Sequence, residues 1–336
     1  MMNRRVLLLL LWMIESVVAL SANPSPPLPK ISLTKQRSFP KSIPAGNYSG
    51  ITWLGDSLYA VVDDKSPTAG FSLMTIHIDS VSGKILHAQI DTFFTSGQKN
   101  RDEEGICYVS HARTLFISGE SDNAVLEYQL DGTLTGRQLA VPDIFLTARP
   151  NGGFEALTYN AATHRFWTTS EFSLPDDGPL PTIHNKIPNR LRLQSFNDQL
   201  LPAEQYWYAT DSSVVTKQNG QSVLGVSALA ALDDGRLLVL EREVYSAPRK
   251  IGSFVQVKVY EVNPRQHPVG TLLPKQLITS FRTRINLTAR SFANYEGMCV
   301  GPRLADGRQV IVLIADSQNQ YRGYLRDWLR TIILEP

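Results

Sequence analysis

Carboxylates recur along this chain in a pattern suited to holding a cation. Glu104, Glu155 and Glu296 each open the same short motif: the acid, a small residue, an apolar residue, a turn, and an apolar run that ends in Asp or Glu. The copies run from Glu104-Gly105-Ile106 to Glu120, from Glu155-Ala156-Leu157 to Glu171, and from Glu296-Gly297-Met298 to Asp316. Two further copies carry Ser at the first position, Ser49-Gly50-Ile51 to Asp63-Asp64 and Ser227-Ala228-Leu229 to Glu241. Carboxylates gathered at one place repel each other unless they are protonated, paired or neutralised by a cation. Oxygen ligands without a His–Cys cluster suit a hard ion, Ca²⁺ before Mg²⁺, rather than zinc. Such an ion polarises a phosphoryl or carboxyl oxygen and activates water. The expected ligands are Asp63, Glu104, Glu155, Glu296 and Asp316. A structural reading stands beside this one, in which acids at strand ends bond to backbone amides of the next unit. Glu241 and Arg242 are expected to form an ion pair with each other.

The elements that must position these groups are strands. Residues 57–62, 115–118, 166–169, 237–240 and 310–315 are short, β-rich and bounded by turn residues. If each motif is an antiparallel hairpin, the start of its first strand lies beside the end of its second. Both marked positions then share one end, and hairpins arranged around an axis put a ring of carboxylates and hydroxyls at one mouth. Two more strand-like runs follow the acidic end in most copies, for example 72–78 and 85–94, or 254–262 and 275–281. Four strands per unit at this spacing predict the blade of a β-propeller. The fold expected is therefore all-β, a propeller of five or six four-stranded blades. A sixth blade stays open because the fourth and fifth copies each begin about 70 residues after the one before, beyond a one-blade repeat of roughly 40–50. The last unit lacks a strand, and residues 31–39 are expected to supply it and close the ring.

This topology sorts the remaining polar residues. Lys99, Arg101 and Arg290 fall in loops on the same end as the motif acids and are expected to orient an anionic substrate. His111 and His164 fall in turns at the opposite end, which sets them aside as catalytic groups. The loop 172–189, rich in Pro, Gly and Asp, is long enough to cover the mouth.

Composition limits the function classes. The chain has 336 residues, 43% hydrophobic and 19% charged, with a formal charge of +2. A well-packed core is expected, and a near-neutral chain makes no electrostatic case for nucleic acid. Residues 1–22 read as an export signal: Arg4 and Arg5, an apolar core, then Ala19-Leu20-Ser21 before Ala22. Removing them leaves +1, and Glu15 interrupts the apolar stretch, so no stable membrane span is expected. An uncleaved N-terminal anchor is the alternative. Residues 23–30 are a Pro-rich linker, and 31–336 form the propeller. The expected location is secreted or periplasmic. Cys107 and Cys299 sit at equivalent places in two non-neighbouring copies and are expected to be buried and unpaired, since such places lie far apart. Asn47-Tyr48-Ser49 and Asn286-Leu287-Thr288 fit a glycosylation pattern that matters only in a eukaryotic secretory host. G-x-S-x-G, H-E-x-x-H and EF-hand patterns are missing.

The motifs taken together resemble the phytase-like family, whose members are also called proteins with esterase-like activity of the phytase family. The resemblance rests on Ser49-Gly50-Ile51 with Asp63-Asp64, Asp102 to Gly105, Gly153-Phe154-Glu155-Ala156-Leu157 with Ser170-Glu171, Leu237 to Arg242, and Asn294-Tyr295-Glu296-Gly297 with Ala315-Asp316-Ser317. It spans about residues 45–320 and implies a secreted or periplasmic bacterial propeller. Family members often carry Asn after the last Asp, where this chain has Ser317. The leading expectation is a metal-dependent hydrolase of phosphate esters or other esters. A non-catalytic periplasmic propeller that binds a ligand or protein is the alternative, and lactonase-type chemistry also suits a Ca²⁺-centred propeller. A fold by itself does not choose among these.

Overall fold

Short β-branched and aromatic runs, punctuated by turns, pair here with their nearest neighbours in sequence. The computed structural model describes residues 31–335 except 218 and 286–289. The expected export signal (1–22), the linker (23–30) and the Asn286-Leu287-Thr288 pattern lie outside the described residues. The N-terminal strand is β1 (Ile31–Leu33). Blade one is β2 (Tyr48–Gly55), β3 (Leu58–Asp63), β4 (Thr68–Ile78) and β5 (Ile85–Lys99). Blade two is β6 (Glu103–Val109), β7 (Thr114–Gly119), β8 (Ala124–Gln129) and β9 (Leu134–Gln138). Blade three is β10 (Phe154–Asn160), β11 (Arg165–Ser170), β12 (Arg190–Phe196) and β13 (Pro202–Ala209). Blade four is β14 (Gln221–Ala231), β15 (Leu237–Ser246), β16 (Phe254–Val262) and β17 (Lys275–Arg284). Blade five is β18 (Asn294–Arg303), β19 (Gln309–Asp316) and β20 (Leu329–Leu334), completed by β1.

The chain is thus an all-β propeller of five four-stranded antiparallel blades. Its ring closes as the sequence predicts: β1 pairs with β20, Ile31 opposite Leu334 and Leu33 opposite Ile332. The Thr34 and Thr331 hydroxyls meet at 2.8 Å just beyond that pairing. The first of the long spacings that left a sixth blade open is filled by the loop 172–189 and the crossover between β13 and β14, and the second by the long strands β14 to β17 of a single blade.

The core lies between blades rather than at a single centre. Side chains alternate along each strand, so one strand feeds two neighbouring interfaces. On β3, Val61 packs toward blade five with Met74, Val312 and Ile314, while Ala60 and Val62 pack toward blade two with Ile106, Leu115 and Ile117. Equivalent clusters join blades two and three, three and four, and four and five. Cys107 and Cys299 are buried in two different clusters of this kind and are unpaired. Among the described residues, no helix is long and apolar enough to cross a membrane.

The crossover 210–217 is strapped to blade four by charge. The Asp211 and Val214 amides donate to Glu241 Oε2 (3.0 Å) and Glu243 Oε2 (2.8 Å). The Asp211 carboxylate in turn takes Lys258, Tyr260 and Lys275, the last at 2.9 Å. Partial burial works against that carboxylate's charge, but the hydrogen bonds from Lys258, Tyr260 and Lys275 prevail and hold its pKa below the usual range. A pKa depressed by folding contributes stability above the unfolded value of about 3.9 and loses it as pH falls through the folded value. Asp211→Asn should therefore melt below the wild type at neutral pH, and the gap should narrow in melts taken below about pH 4. A gap that stays constant with pH would assign the strap to packing instead.

Candidate metal centre

The five inner strands crowd one another at the channel, and this crowding explains the small residue in every motif. A Cβ on Gly50 would lie 2.2 Å from the Glu104 carbonyl oxygen, and one on Gly297 would lie 2.6 Å from that of Ser49. Just before the small residue, the pairing of each inner hairpin slips. The slip falls at Glu155, Ser227 and Glu296 in blades three to five and spans Ser49-Gly50 and Glu104-Gly105 in blades one and two, so it takes in the first motif position of all five blades. A bulge leaves one residue unpaired and re-aims its side chain. The third motif residue is apolar: Ile51, Ile106, Leu157, Leu229 and Met298 are all buried and line the channel beneath. They part the polar mouth from a wider cavity of about 290 Å³ toward the opposite face, bordered by Trp53, Tyr108 and Tyr159. His111 and His164 lie at that far end beside Tyr159, as expected from their turns.

The pairing register also identifies the second ring. Phe154 faces Ser170, Tyr295 faces Ala315, Glu103 faces Gly119, Tyr48 faces Asp63 and Val226 faces Glu241. One residue further on stand Asp64, Glu120, Glu171, Arg242 and Asp316. Four blades place a carboxylate at this position, and blade four places a guanidinium. Arg242 Nη2 lies 2.9 Å from Glu171 Oε1, 3.0 Å from Glu296 Oε1 and 3.4 Å from Glu155 Oε1. The expected Glu241–Arg242 pair is corrected by this geometry, because neighbours on a strand point to opposite faces. Glu241 instead accepts from the Tyr208 hydroxyl (2.6 Å) and Lys275 (2.5 Å).

Four of the expected ligands, Glu104, Glu155, Glu296 and Asp316, are buried together at this mouth. The Asp63 carboxylate is directed elsewhere, onto the Asn47 and Lys65 amides at 3.1 and 3.0 Å, and the ring position belongs to Asp64. Glu120 and Glu171 join the ring as well; their place at the end of the second strand was the available sign. Of the expected anion-holding residues, Arg101 is spent on Asp122, 3.0 Å to both oxygens, and on Glu103 at 3.5 Å. Lys99 and Arg290 are exposed, Lys99 at the end of β5 and Arg290 beyond β17. Ser317 is fully buried, bonding to Asp327 at 2.6 Å, so it closes a loop rather than facing the mouth. In the loop 172–189, Asp177 is gripped by Arg192 through two 2.7 Å bonds and Ile183 packs against Val215 and Tyr245.

Charge at the ring is unbalanced. Asp64, Glu104, Glu120, Glu155, Glu171, Glu296 and Asp316 face one buried Arg242 and one exposed Lys65, whose ammonium sits 2.8 Å from Asp64. Burial first, then the charges of neighbouring acids, pushes Glu104 and Glu155 well above the ordinary carboxylate range. Burial pushes Glu171 up to about 7 against the pull of Arg242, and burial with Glu296 pushes Asp316 up to about 9. A cation relieves this cost, and the donor set fits one. Oxygens of Glu120, Glu155 and Glu171 lie within 4.8 Å of one another. Calcium–oxygen distances of about 2.4 Å span that separation across a single ion. Among the described residues, buried Glu171 Oε1 also lacks a hydrogen-bond partner, because Arg242 approaches it off the N–H axis despite the short distance.

A family model described as "Phytase-like: Esterase-like activity of phytase" matches residues 43–318. No curated protein matches the chain. Among solved structures, a luciferin-regenerating enzyme is 9% identical over 91% of this chain and 98% of its own, with a TM-score of 0.45. A streptogramin B lyase is 12% identical over 91% and 98%, with a TM-score of 0.39. A member of the DUF4221 family from Bacteroides vulgatus is 10% identical over 92% and 99%, with a TM-score of 0.43. Likeness at this level says nothing about activity.

A carboxyl whose pKa is raised by folding costs stability progressively as pH rises above the unfolded value of about 3.9, and the cost is complete only above the folded value. In chelator-treated protein, Asp316→Asn should melt about 2 °C or more above the wild type near pH 8. The gain should vanish toward about pH 4, where both states of the wild-type carboxyl are protonated. A loss of stability near pH 8 would mean that the carboxylate is already neutralised by its neighbours.

Proposed function

The chain belongs to the phytase-like family, and we propose that it is an exported, metal-dependent hydrolase of phosphate esters or other esters that works at this channel mouth. The observation that carries the reading is the charge deficit: seven buried or half-buried carboxylates against Arg242 and Lys65. Glu120, Glu155 and Glu171 would hold a hard divalent cation, Ca²⁺ first, with Glu104, Glu296 and Asp316 beside them. When bound, the ion supplies Lewis-acid polarisation of an ester oxygen and an acidified water. The chain's own groups do the remaining work. The apolar plug of Ile51, Ile106, Leu157, Leu229 and Met298 bounds the site from below. Lys99 and Arg290 are the exposed groups proposed to steer an anionic ester toward the mouth. The basic and apolar residues 4–13 support export to the periplasm or medium.

A binding-only propeller has its own support. Arg242 already engages three of the acids, and the Ser227 hydroxyl is spent on the Tyr295 carbonyl at 3.1 Å, which removes it as a free nucleophile.

Calorimetry with Ca²⁺ on the mature chain separates these readings when joined to an ester panel. The wild type should bind Ca²⁺, and Glu120→Gln with Glu155→Gln should bind at least about tenfold more weakly. Calcium-dependent turnover of a phosphate or carboxylic ester should fall with it. Binding without turnover across the panel would leave the binding-only propeller, and no binding would remove the metal centre.

A further inference from the structure

We propose that Arg242 is a built-in competitor for the ring's divalent cation and so sets the affinity of the site. The inference rests on the cation-binding reading above and deepens it by naming the residue that tunes it.

Three observations converge on Arg242. Its position in blade four, opposite Gly225, is the one at which the other four blades present Asp64, Glu120, Glu171 and Asp316. A positive charge therefore stands where symmetry would place a further acid. Second, Arg242 and the candidate ion share ligands. Glu155 and Glu171 belong both to the acidic trio and to the set within 3.4 Å of Arg242 Nη2. Two cations held by the same two buried carboxylates repel each other at short range, so each weakens the other's hold on Glu155 and Glu171. Third, the Arg242 cluster is tightly enclosed yet imperfectly bonded. A Cβ on Gly225 would lie 2.6 Å from Glu171 Cγ, so glycine at this point is what lets Glu171 lean toward Arg242. Arg242 is only 7% exposed, yet among the described residues its Nε has no hydrogen-bond partner, and neither has Glu171 Oε1. A planar fork satisfies carboxylates only along its N–H directions, whereas a spherical ion makes no such demand. The guanidinium also stays charged at every physiological pH, so titration of Arg242 itself does not release these acids.

Calcium calorimetry and thermal melts with and without Ca²⁺, on the wild type, Arg242→Met and Arg242→Lys, test the proposal. Arg242→Met should bind Ca²⁺ about tenfold or more tightly than the wild type, and Ca²⁺ should raise its melting temperature by more. Arg242→Lys keeps the charge on a shorter side chain that stands further back from the three acids, and should bind more tightly by a smaller factor. An Arg242→Met protein that folds only with Ca²⁺ present also supports the proposal; if it folds under neither condition, Arg242→Lys decides. Equal or weaker binding in the folded variants, with the wild type binding, overturns the competitor and leaves the metal centre standing. Binding by a variant but not by the wild type supports the competitor and removes the metal centre from the natural chain. No binding in any of the three overturns both.

Discussion

The close approach of five inner strands is the constraint on which the rest of this molecule depends. At the channel, the backbone of one blade touches that of the next, and a Cβ at Gly50 would fall 2.2 Å from the Glu104 carbonyl oxygen. Only Gly or Ala stands at that point in any blade: Gly50, Gly105, Ala156, Ala228 and Gly297. The same approach displaces the preceding residue from the ladder, and that residue is the one aimed into the mouth. Crowding, bulge and polar ring are thus one event, repeated in every blade.

Concentrating acids in this way has an electrostatic consequence. Removing carboxylates from water without partners is expensive, and the structure answers in part with a buried guanidinium. Such a cluster is weak evidence for stability, because desolvation offsets much of the attraction between buried charges. What it does create is a site with unmet demand for positive charge. The five interblade clusters provide the stability that tolerates this demand, since each is apolar and continuous from inner to outer strands. The outer charges have a different task. The Asp211 strap holds a long crossover against blade four, well removed in chemistry from the mouth.

Function follows from where the two kinds of charge fall. Basic side chains that a reading of loops would assign to substrate are largely engaged elsewhere: Arg101 with Asp122, Arg192 with Asp177. The mouth itself is acidic, so an anionic ester would need a cation to meet it. Membership of the phytase-like family fixes the fold, and a propeller of this kind can serve hydrolysis or binding. The buried Arg242 connects the two possibilities: it holds Glu155 and Glu171, and under the proposal made above that hold would govern whether a metal ion can use them.

Much of the architecture was legible in the sequence because its signals are local. Alternating apolar runs, turn residues such as Asp233-Asp234-Gly235 and the recurring acid–small–apolar motif depend on neighbours within one hairpin. They sufficed for the propeller, for closure by the N-terminal strand and for Glu104, Glu155, Glu296 and Asp316 at one mouth. Which of two adjacent residues faces the channel depends on register, and register depends on a bulge that is set by contact with another blade. That is why Asp64 rather than Asp63, and Arg242 rather than Glu241, occupy the ring. The pairing of Arg242 with acids from blades three and five joins residues up to 87 positions apart, and no spacing in the chain announces it. The sequence determined which groups repeat and on which end of the hairpin they stand; the packing of blade against blade decided which of them meet and with what partner, because only there does the crowding that sets side-chain direction arise.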